Sequence, residues 1–311
     1  MADKVMSMKE AIESFVHDGD TVFLGGFVAG ETFAATHEII RQNKRDLTIS
    51  RGGGLVPFDM LMGAGCMKKA ISSYVWNPIF KPAHAFRRAV EKGIPKPVEL
   101  EEYSLLTISL AYFAGALELP FVGTKSLLGT DIAKQSLIPA QRIKIVDSPF
   151  NGEQVALISP LKHDVGIIHI QRVDEEGNAQ AWGPMGANKW GINSCSRVIV
   201  SAEEIVPSEV IRKDPQRTII PGFRVDAVVE EPWGSYPEYM AGYYDRDWKY
   251  FTWYYEATKT EEGFNSFLEE WVYGVKSWEE FLAKIGEARL NKLKAGPWMS
   301  SPVNYGYCTT F

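Results

Sequence analysis

The sequence has few cysteines and histidines, and neither kind is grouped. The three cysteines, Cys66, Cys195 and Cys308, lie far apart in a chain of 311 residues. An odd and scattered set predicts no disulfide framework, and the lack of CxxC pairs gives no sign of a zinc site. The five histidines have neither HxxxH nor HExxH spacing, so we expect no metal centre. Unpaired cysteines are typical of a reducing compartment, which favours the cytoplasm.

Positive charge and long apolar runs are also scarce. The 33 lysines and arginines are outnumbered by 39 aspartates and glutamates, which gives a net charge of −6. Nucleic-acid binding needs a basic face, so we expect no nucleic-acid partner. The longest apolar run, 105–122, contains Thr107, Ser109 and Glu118 and predicts a buried helix that continues into a strand. We therefore expect no membrane association.

Common catalytic motifs are missing. The sequence contains no GxSxG nucleophile elbow and no GxxxxGK[ST] phosphate loop. Gly63-Ala64-Gly65 begins like the dinucleotide-binding GxGxxG, but Lys68 stands where the third glycine should be. This segment also follows a predicted helix instead of a strand, which argues against a Rossmann site.

What the sequence does contain is a buried strand that runs into a glycine pair. Thr21–Leu24 is short and rich in β-branched and aromatic residues, and Gly25-Gly26 follows it directly. Glycines let the chain turn sharply and let a ligand approach the backbone. In open α/β sheets, ligands bind in the crevice at the carboxyl ends of the strands. The pattern is also compatible with a tight turn that has no chemical role.

The same unit of strand, glycine loop and helix recurs along the first half of the chain. Strand 47–50 precedes Gly52-Gly53-Gly54, and a further strand is predicted at 70–74. This alternation predicts an α/β fold with an open, mostly parallel sheet and helices on both faces. The ends of the three strands should lie side by side and bring three loops to one rim, at 25–27, 51–54 and 74–77.

The later part of the chain differs in character. Short strands, some of them antiparallel, are predicted from the apolar runs, and 174–178 has the composition of a hairpin turn. From about residue 240 the sequence is rich in tryptophan and tyrosine and contains helix-capping patterns at Thr260 and at Ser277 with Glu280. We therefore expect an α/β domain over 1–240 and a helical extension over 241–311 that packs on the body or on a partner. The predicted strands are 155–159, 166–170, 179–182, 198–200 and 225–229.

The run Asp18-Gly19-x-x-Val22-Phe23-Leu24-Gly25-Gly26-Phe27 resembles the first signature of the family I coenzyme A transferases. After Phe27 the signature has a glycine and then a proline, and here Glu31 and Phe33 stand near those positions. The likeness extends along the chain to the A (alpha) subunits of this family, of the glutaconate CoA-transferase type. The stretches that carry it include Glu101-Glu102-Tyr103-Ser104, Asp147-Ser148-Pro149-Phe150, Gly166-Ile167-Ile168-His169, Glu203-Glu204-Ile205 and Tyr243-Tyr244-Asp245.

The resemblance implies a heteromeric enzyme that moves coenzyme A between an acyl-CoA and a small, sometimes dicarboxylic, acid. In this family the thioester is attacked by a glutamate of the B subunit, and the reaction passes through a glutamyl-CoA intermediate. The resemblance therefore implies no catalytic nucleophile in this chain, a B subunit as partner in a heterotetramer or larger assembly, and no permanently bound cofactor. Glu176-Gly177-Asn178 is the segment of this chain most similar to the sequence around the nucleophilic glutamate of B subunits. We interpret it as a hairpin turn.

Candidate substrate-binding residues come from the predicted rim and from one further polar loop. Glycine loops can supply backbone donors and close approach, Phe27 an aromatic wall, and Arg51 a guanidinium that pairs with a free carboxylate. Each residue also has an ordinary structural role open to it, as a turn glycine, a salt-bridge arginine or a core tyrosine. The candidates are Gly25, Gly26, Phe27, Val28, Arg51, Gly52, Gly53, Tyr74, Asn77, Gly129 and Thr130.

Two alternatives stay open at this point. The same fold could act as an acyl-CoA decarboxylase or as a ring-opening hydrolase of CoA thioesters, and the changed loop at 31–33 leaves room for this. A non-catalytic module that senses sugar phosphates is the second alternative, because similar α/β folds bind phosphorylated sugars.

Overall fold

The helices and strands follow the predicted alternation. The structure is a computed structural model, and it describes residues 4–77, 81–134 and 142–296. Cys308 and the end of the segment 241–311 lie outside the described residues. The described helices are α1 Met8–Phe15, α2 Phe33–Arg41, α3 Val56–Gly63, α4 His84–Lys92, α5 Leu105–Ala116, α6 Asp131–Lys134, α7 Asn188–Asn193, α8 Ser208–Lys213, α9 Trp248–Ala257, α10 Glu261–Leu268, α11 Trp278–Ile285 and α12 Glu287–Asn291. The described strands are β1 Thr21–Leu24, β2 Leu47–Ser50, β3 Met67–Ser72, β4 Glu99–Glu102, β5 Val122–Thr124, β6 Ile143–Asp147, β7 Gln154–Ile158, β8 His163–Val173, β9 Ala179–Gln180, β10 Cys195–Ile205, β11 Thr218–Ile220 and β12 Ala227–Glu230.

The main sheet is open and mostly parallel, as the sequence predicts. Its parallel strands lie in the order β12-β10-β8-β1-β2-β3-β4. The short antiparallel strands β9 and β11 extend it beside the end of β8. A separate antiparallel sheet has the order β5-β7-β6. The chain passes from β1 outward to β4 on one side and from β8 outward to β12 on the other, so the strand order reverses between β1 and β8.

Both faces of the sheet are covered, and β1 shows how. Val22 and Leu24 belong to one buried cluster, together with α1, α2 and the C-terminal helices. Phe23 belongs to the other, where its ring meets the edge of Tyr112 from α5 at 5.3 Å. Successive side chains of a strand point to opposite faces, so a strand that is apolar throughout predicts this two-sided burial.

Several strands differ in length from the prediction, among them β8, β9 and β12, and the reasons are clearest for β3 and β10. β3 ends at Ser72 and not at residue 74, because the Ser72 hydroxyl and the Ser73 N–H bond to Tyr74 O and Gly52 O and turn the chain. β10 covers eleven residues where three were predicted, since it pairs with β8 along its whole length. The predicted hairpin turn at 174–178 is confirmed between β8 and β9.

The C-terminal helices pack onto the body of the chain. The rings of Trp278 and Phe281 lie 5.1 Å and 4.9 Å from the ring of His37 on α2. Gly63 at the end of α3 lies against the ring of Phe264, so a side chain there would collide with it. Helices α9, α10 and α11 thus share one core with α2 and α3, while the division of the chain at residue 240 stays a prediction.

At Ser277 the cap is confirmed, but the Glu280 carboxylate accepts from Lys276 N and not from Ser277 N.

The contact between α2 and the C-terminal helices predicts a pH-dependent stability. His37 is fully buried, and burial holds the pKa of its imidazole well below the usual 6.5. Below pH 6.5 the unfolded chain takes up a proton that the folded chain excludes, so stability falls with falling pH. The His37→Phe variant should therefore lose about 2 kcal/mol less free energy of unfolding than the wild type between pH 7 and pH 5.

Urea denaturation at the two pH values measures this difference. Replacement of the exposed His17 by glutamine is the matched control and should leave the pH dependence unchanged. A pH dependence of His37→Phe equal to that of the wild type would contradict the account.

Candidate active site

Three loops meet at the carboxyl ends of β1, β2 and β3, because these strands are parallel neighbours. We call the loops 25–30, 51–54 and 73–77 the rim. The structure brings most of the predicted site residues together here. Gly129 and Thr130 are different: they follow β5 of the separate antiparallel sheet, and no described contact joins them to the rim. The residues that meet at the rim are Gly25, Gly26, Phe27, Val28, Arg51, Gly52, Gly53, Tyr74 and Asn77.

A buried ion pair joins the first two loops. Arg51 Nη1 and Nη2 donate to Glu31 Oε2 and Oε1 at 2.8 Å and 2.9 Å, and both side chains are 1% exposed. Nη2 also donates to the carbonyl of Gly26 at 3.1 Å. The sequence predicted that Arg51 would pair with the carboxylate of a ligand. In the structure Glu31 occupies that position, because it folds back from the start of α2 toward the strand ends.

The backbone donors of the β1 loop, residues 25–30, are mostly engaged within the protein. Gly25 N–H donates to Ile167 O, Gly26 N–H to Asn188 Oδ1 and Phe27 N–H to Ala29 O, at 2.8 Å, 3.1 Å and 3.1 Å. In this structure none of these three N–H groups is therefore a free donor. They instead fix the loop to β8 and α7, and the half-buried ring of Phe27 stays available as a wall.

Gly52 and Gly53 support the second loop. A side chain at Gly53 would collide with the ring of Tyr74, so the two loops touch only because Gly53 has no Cβ. Tyr74 is 37% exposed, and partial burial raises the pKa of its hydroxyl while the charge of Arg51 opposes the rise. Asn77 is buried, and its N–H donates to Lys81 O.

A cleft of about 200 Å³ opens beside the rim. It lies at the carboxyl ends of β3 and β4, and Tyr74 contributes to its wall. The other side chains around it are a mixture of apolar groups and hydroxyls with two carboxylates. They are Ala70, Ser72, Ser73, Val75, Phe86, Leu100, Glu101 and Glu102.

The reversal of strand order places a second crevice between β1 and β8. This is the position at which open α/β sheets bind ligands. Ala29 and Gly30 of the β1 loop form one wall, and the end of β8 from Ile168 to Gln171 forms another. Asn188 and Met240 also line it, together with Ala181, Trp182, Pro184 and Met185. The space is about 20 Å³, room for one water molecule, so the β1 loop is packed down on this crevice.

The sequence reasoning missed a buried polar network under this crevice. His169 on β8 is hydrogen-bonded to Ser201 and Glu203 on β10, at 3.0 Å and 2.8 Å. Glu203 also accepts from Tyr244 Oη at 2.6 Å and from Trp233 N at 2.8 Å, so both of its oxygens are engaged. Three of the stretches that carried the resemblance supply His169, Glu203 and Tyr244, and that convergence was the available signal.

A second arginine–glutamate pair lies on the other side of the β1 loop. Arg246 Nε donates to Glu238 Oε1, and Nη2 donates to the carbonyl of Val28 at 3.0 Å. Glu238 is fully buried, its Oε2 has no partner among the described residues, and burial raises its pKa to about 8 against the opposing charge of Arg246. In the part of the chain that the structure describes, no cluster of three or more His, Cys, Asp or Glu side chains is placed to hold a metal ion.

Fold and geometry together define an α/β protein with a cleft and a crevice at its strand ends, beside a glycine loop held by a buried ion pair. Comparison with known proteins narrows the class. Residues 5–231 match the coenzyme A transferase family model, and the chain belongs to this family. The predicted family resemblance and fold class are thereby confirmed.

The relatives cover nearly the whole chain. It is 37% identical to the A subunit of 3-oxoadipate CoA-transferase from Pseudomonas knackmussii, over 92% of this chain and 99% of that one. It is 35% identical to the A subunit of glutaconate CoA-transferase from Acidaminococcus fermentans, over 94% and 95%. The solved structure of the latter transferase superposes with a TM-score of 0.90 at 34% identity, covering 97% of this chain and 98% of that one.

More distant relatives include enzymes with other reactions. A decarboxylase, AibA/AibB, matches with a TM-score of 0.69 at 25% identity over 86% of this chain and 99% of that one. The cholesterol ring-cleaving hydrolase IpdA subunit of Mycobacterium tuberculosis is 27% identical over 89% of this chain and 96% of its own length.

In the described residues no helix is long and apolar enough to span a membrane.

The conformation of the β1 loop predicts that Gly26 is hard to replace. Its φ is 118°, and a Cβ would lie 2.8 Å from the carboxyl carbon of Glu31. Gly26→Ala should reduce the free energy of unfolding by about 2–3 kcal/mol, from backbone strain and displacement of the ion pair. Gly129→Ala is the control and should lose only about 1 kcal/mol, because Gly129 has a φ of 77° and no described atom lies within 4 Å of the place its Cβ would take. Equal losses in urea denaturation would contradict this.

Proposed function

We propose that this chain is the A subunit of a heteromeric CoA-transferase. The enzyme moves coenzyme A between an acyl-CoA and a small carboxylic acid, and dicarboxylic acids are the first to test because two relatives are named for dicarboxylic substrates. The B subunit is the partner, in a heterotetramer or larger assembly. The free thiols of Cys66 and Cys195 favour a reducing compartment, which we propose is the cytoplasm.

The reaction consists of exchanges between activated acyl groups. A carboxylate oxygen of the enzyme attacks the thioester carbonyl, the C–S bond breaks, and CoA thiolate leaves as an acyl-glutamyl anhydride forms. The thiolate then attacks the glutamyl carbonyl of the anhydride, which gives glutamyl-CoA and releases the first acid as its carboxylate. The second acid reverses both steps and leaves as the new acyl-CoA. Charge and atoms balance without any oxidant or metal.

The state of the glutamates beside the β1 loop and under the crevice between β1 and β8 supports an attacking glutamate in the partner. Glu31 beside the β1 loop and Glu203 under the crevice have both oxygens engaged in short contacts. A carboxylate held in this way is not free to attack a thioester. Glu238 keeps one unpartnered oxygen among the described residues, but it is fully buried, and its raised pKa of about 8 favours the protonated, non-nucleophilic form at pH 7. Glu176 lies in the exposed hairpin turn after β8.

We therefore propose that this chain supplies the walls of the site. Gly53 and Tyr74 are among them, because two of the rim loops touch there. Phe27 and Gly52 lie on the same rim and are included for that reason. Gly129 and Thr130 contact the substrate only if the partner brings them to it.

The proposal predicts activity for the complex and none for this chain alone. The purified complex, given an acyl-CoA and a panel of free acids, should produce new acyl-CoA esters in chromatography. The chain without its partner should produce none. Substitution of the partner's glutamate by glutamine should abolish exchange in the complex.

The same assay separates the alternatives. Release of carbon dioxide from one thioester without exchange would identify a decarboxylase, and release of free CoA or ring-opened product would identify a hydrolase. Either result, or full turnover by the isolated chain, would overturn the proposed function.

A further inference from the structure

We propose that two buried arginine–glutamate pairs, Arg51–Glu31 and Arg246–Glu238, are positioning residues that hold the β1 loop in its working shape. The kinetic part of this inference rests on the proposed function, and the structural part does not. Each pair uses its guanidinium to hold a backbone carbonyl of the loop, that of Gly26 for Arg51 and that of Val28 for Arg246.

Val28 shows why the loop needs to be held. Its φ is 62°, in the left-handed region that a β-branched residue adopts only at a cost. Both sides of the residue are fixed by the two pairs: its N–H donates to Glu31 Oε1 at 3.2 Å, and its carbonyl accepts from Arg246 Nη2 at 3.0 Å. The backbone of Val28 is thus hydrogen-bonded to one arginine–glutamate pair on each side.

The groups that form the two pairs are buried or mostly buried. Glu31 and Glu238 have no exposed surface, and the side chains of Arg51 and Arg246 are 1% and 12% exposed. Burying ionisable groups is expensive unless each is paired, so a buried arginine–glutamate pair is weak evidence of added stability. Arg246 is held further by the rings of Tyr239 and Trp248, at 5.5 Å and 4.6 Å from its guanidinium carbon.

The residue after Val28 is Ala29, and its peptide N–H differs from the others in the loop. The N–H groups of Gly25, Gly26, Phe27, Val28 and Gly30 all have acceptors within the protein. Within the described residues, the N–H of Ala29 has none. Ala29 is one of the residues that line the crevice between β1 and β8, so the unbonded N–H belongs to a residue of the crevice wall. A free N–H beside the reacting carbonyl is the kind of group that stabilises an oxyanion, provided its position is fixed beforehand.

A pair of substitutions tests the inference. Glu31→Gln keeps the shape of the side chain but removes the charge that orders Arg51 and Val28. Asp20→Asn is the matched control: Asp20 binds Arg197 at 2.9 Å through both oxygens, at the amino end of β1. In the assembled complex, Glu31→Gln should lower kcat at least tenfold with KM for acyl-CoA within twofold. Asp20→Asn should leave both within twofold.

A rescue experiment separates positioning from simple loss of stability. Glycine adopts the left-handed conformation without strain, so Val28→Gly in the Glu31→Gln background should recover at least threefold in kcat. A double variant no faster than Glu31→Gln would overturn the inference, as would Glu31→Gln with kcat within twofold of the wild type.

Hydrogen–deuterium exchange of the assembled complex gives a readout independent of catalysis. The amides of Gly26, Val28 and Gly30 should exchange at least tenfold faster in Glu31→Gln and in Arg246→Lys, and unchanged in Asp20→Asn. Unchanged exchange of the β1 loop in both test variants would reject the positioning role of the two pairs, even if the complex is an active transferase. Faster exchange in a complex that transfers no CoA would support the positioning role of the two pairs and reject the proposed function.

Discussion

The contact between Arg51 and Glu31 is the constraint on which the rest of the site depends. It joins the end of β2 to the start of α2 across the glycine loop of β1, in a region that is fully buried. Because Arg51 also holds the carbonyl of Gly26, the ion pair fixes backbone as well as side chains. If either residue is removed, the charge of the other stays buried without a partner, so the two residues depend on each other.

The fold explains why this constraint lies where it does. Parallel pairing of β1 with both β2 and β8 brings one glycine loop against two neighbouring strand ends. The reversal of strand order at β1 and β8 opens a crevice that the loop then covers. We propose that the loop belongs to one half of a site whose nucleophile comes from another chain.

Much of this could be predicted from the sequence, where the signal was local. The strand Thr21–Leu24 and the glycines after it indicated the first loop, and the capping pattern at Thr260 indicated the start of α10. The alternation of strands and helices was enough for the fold class, and the meeting of the three loops followed from parallel pairing. The hairpin at 174–178 followed from its turn residues.

What the sequence could not supply were contacts between distant segments. Gly25 bonds to Ile167 and Glu203 to His169, and nothing in either local pattern names the other partner. Arg51 was correctly placed at a strand end, but its pairing with Glu31 depends on how α2 folds back. Gly129 and Thr130 have the composition of a rim loop, and only the tertiary structure places them beside another sheet.

The central claim is that the attacking carboxylate belongs to the partner and not to this chain. Intact-mass measurement of the complex, after incubation with an acyl-CoA and rapid denaturation, tests it most directly. The account predicts an adduct that adds the mass of coenzyme A less one water to the partner, lost on treatment with hydroxylamine, and none on this chain. A coenzyme A adduct on this chain, with the partner unmodified, would contradict it.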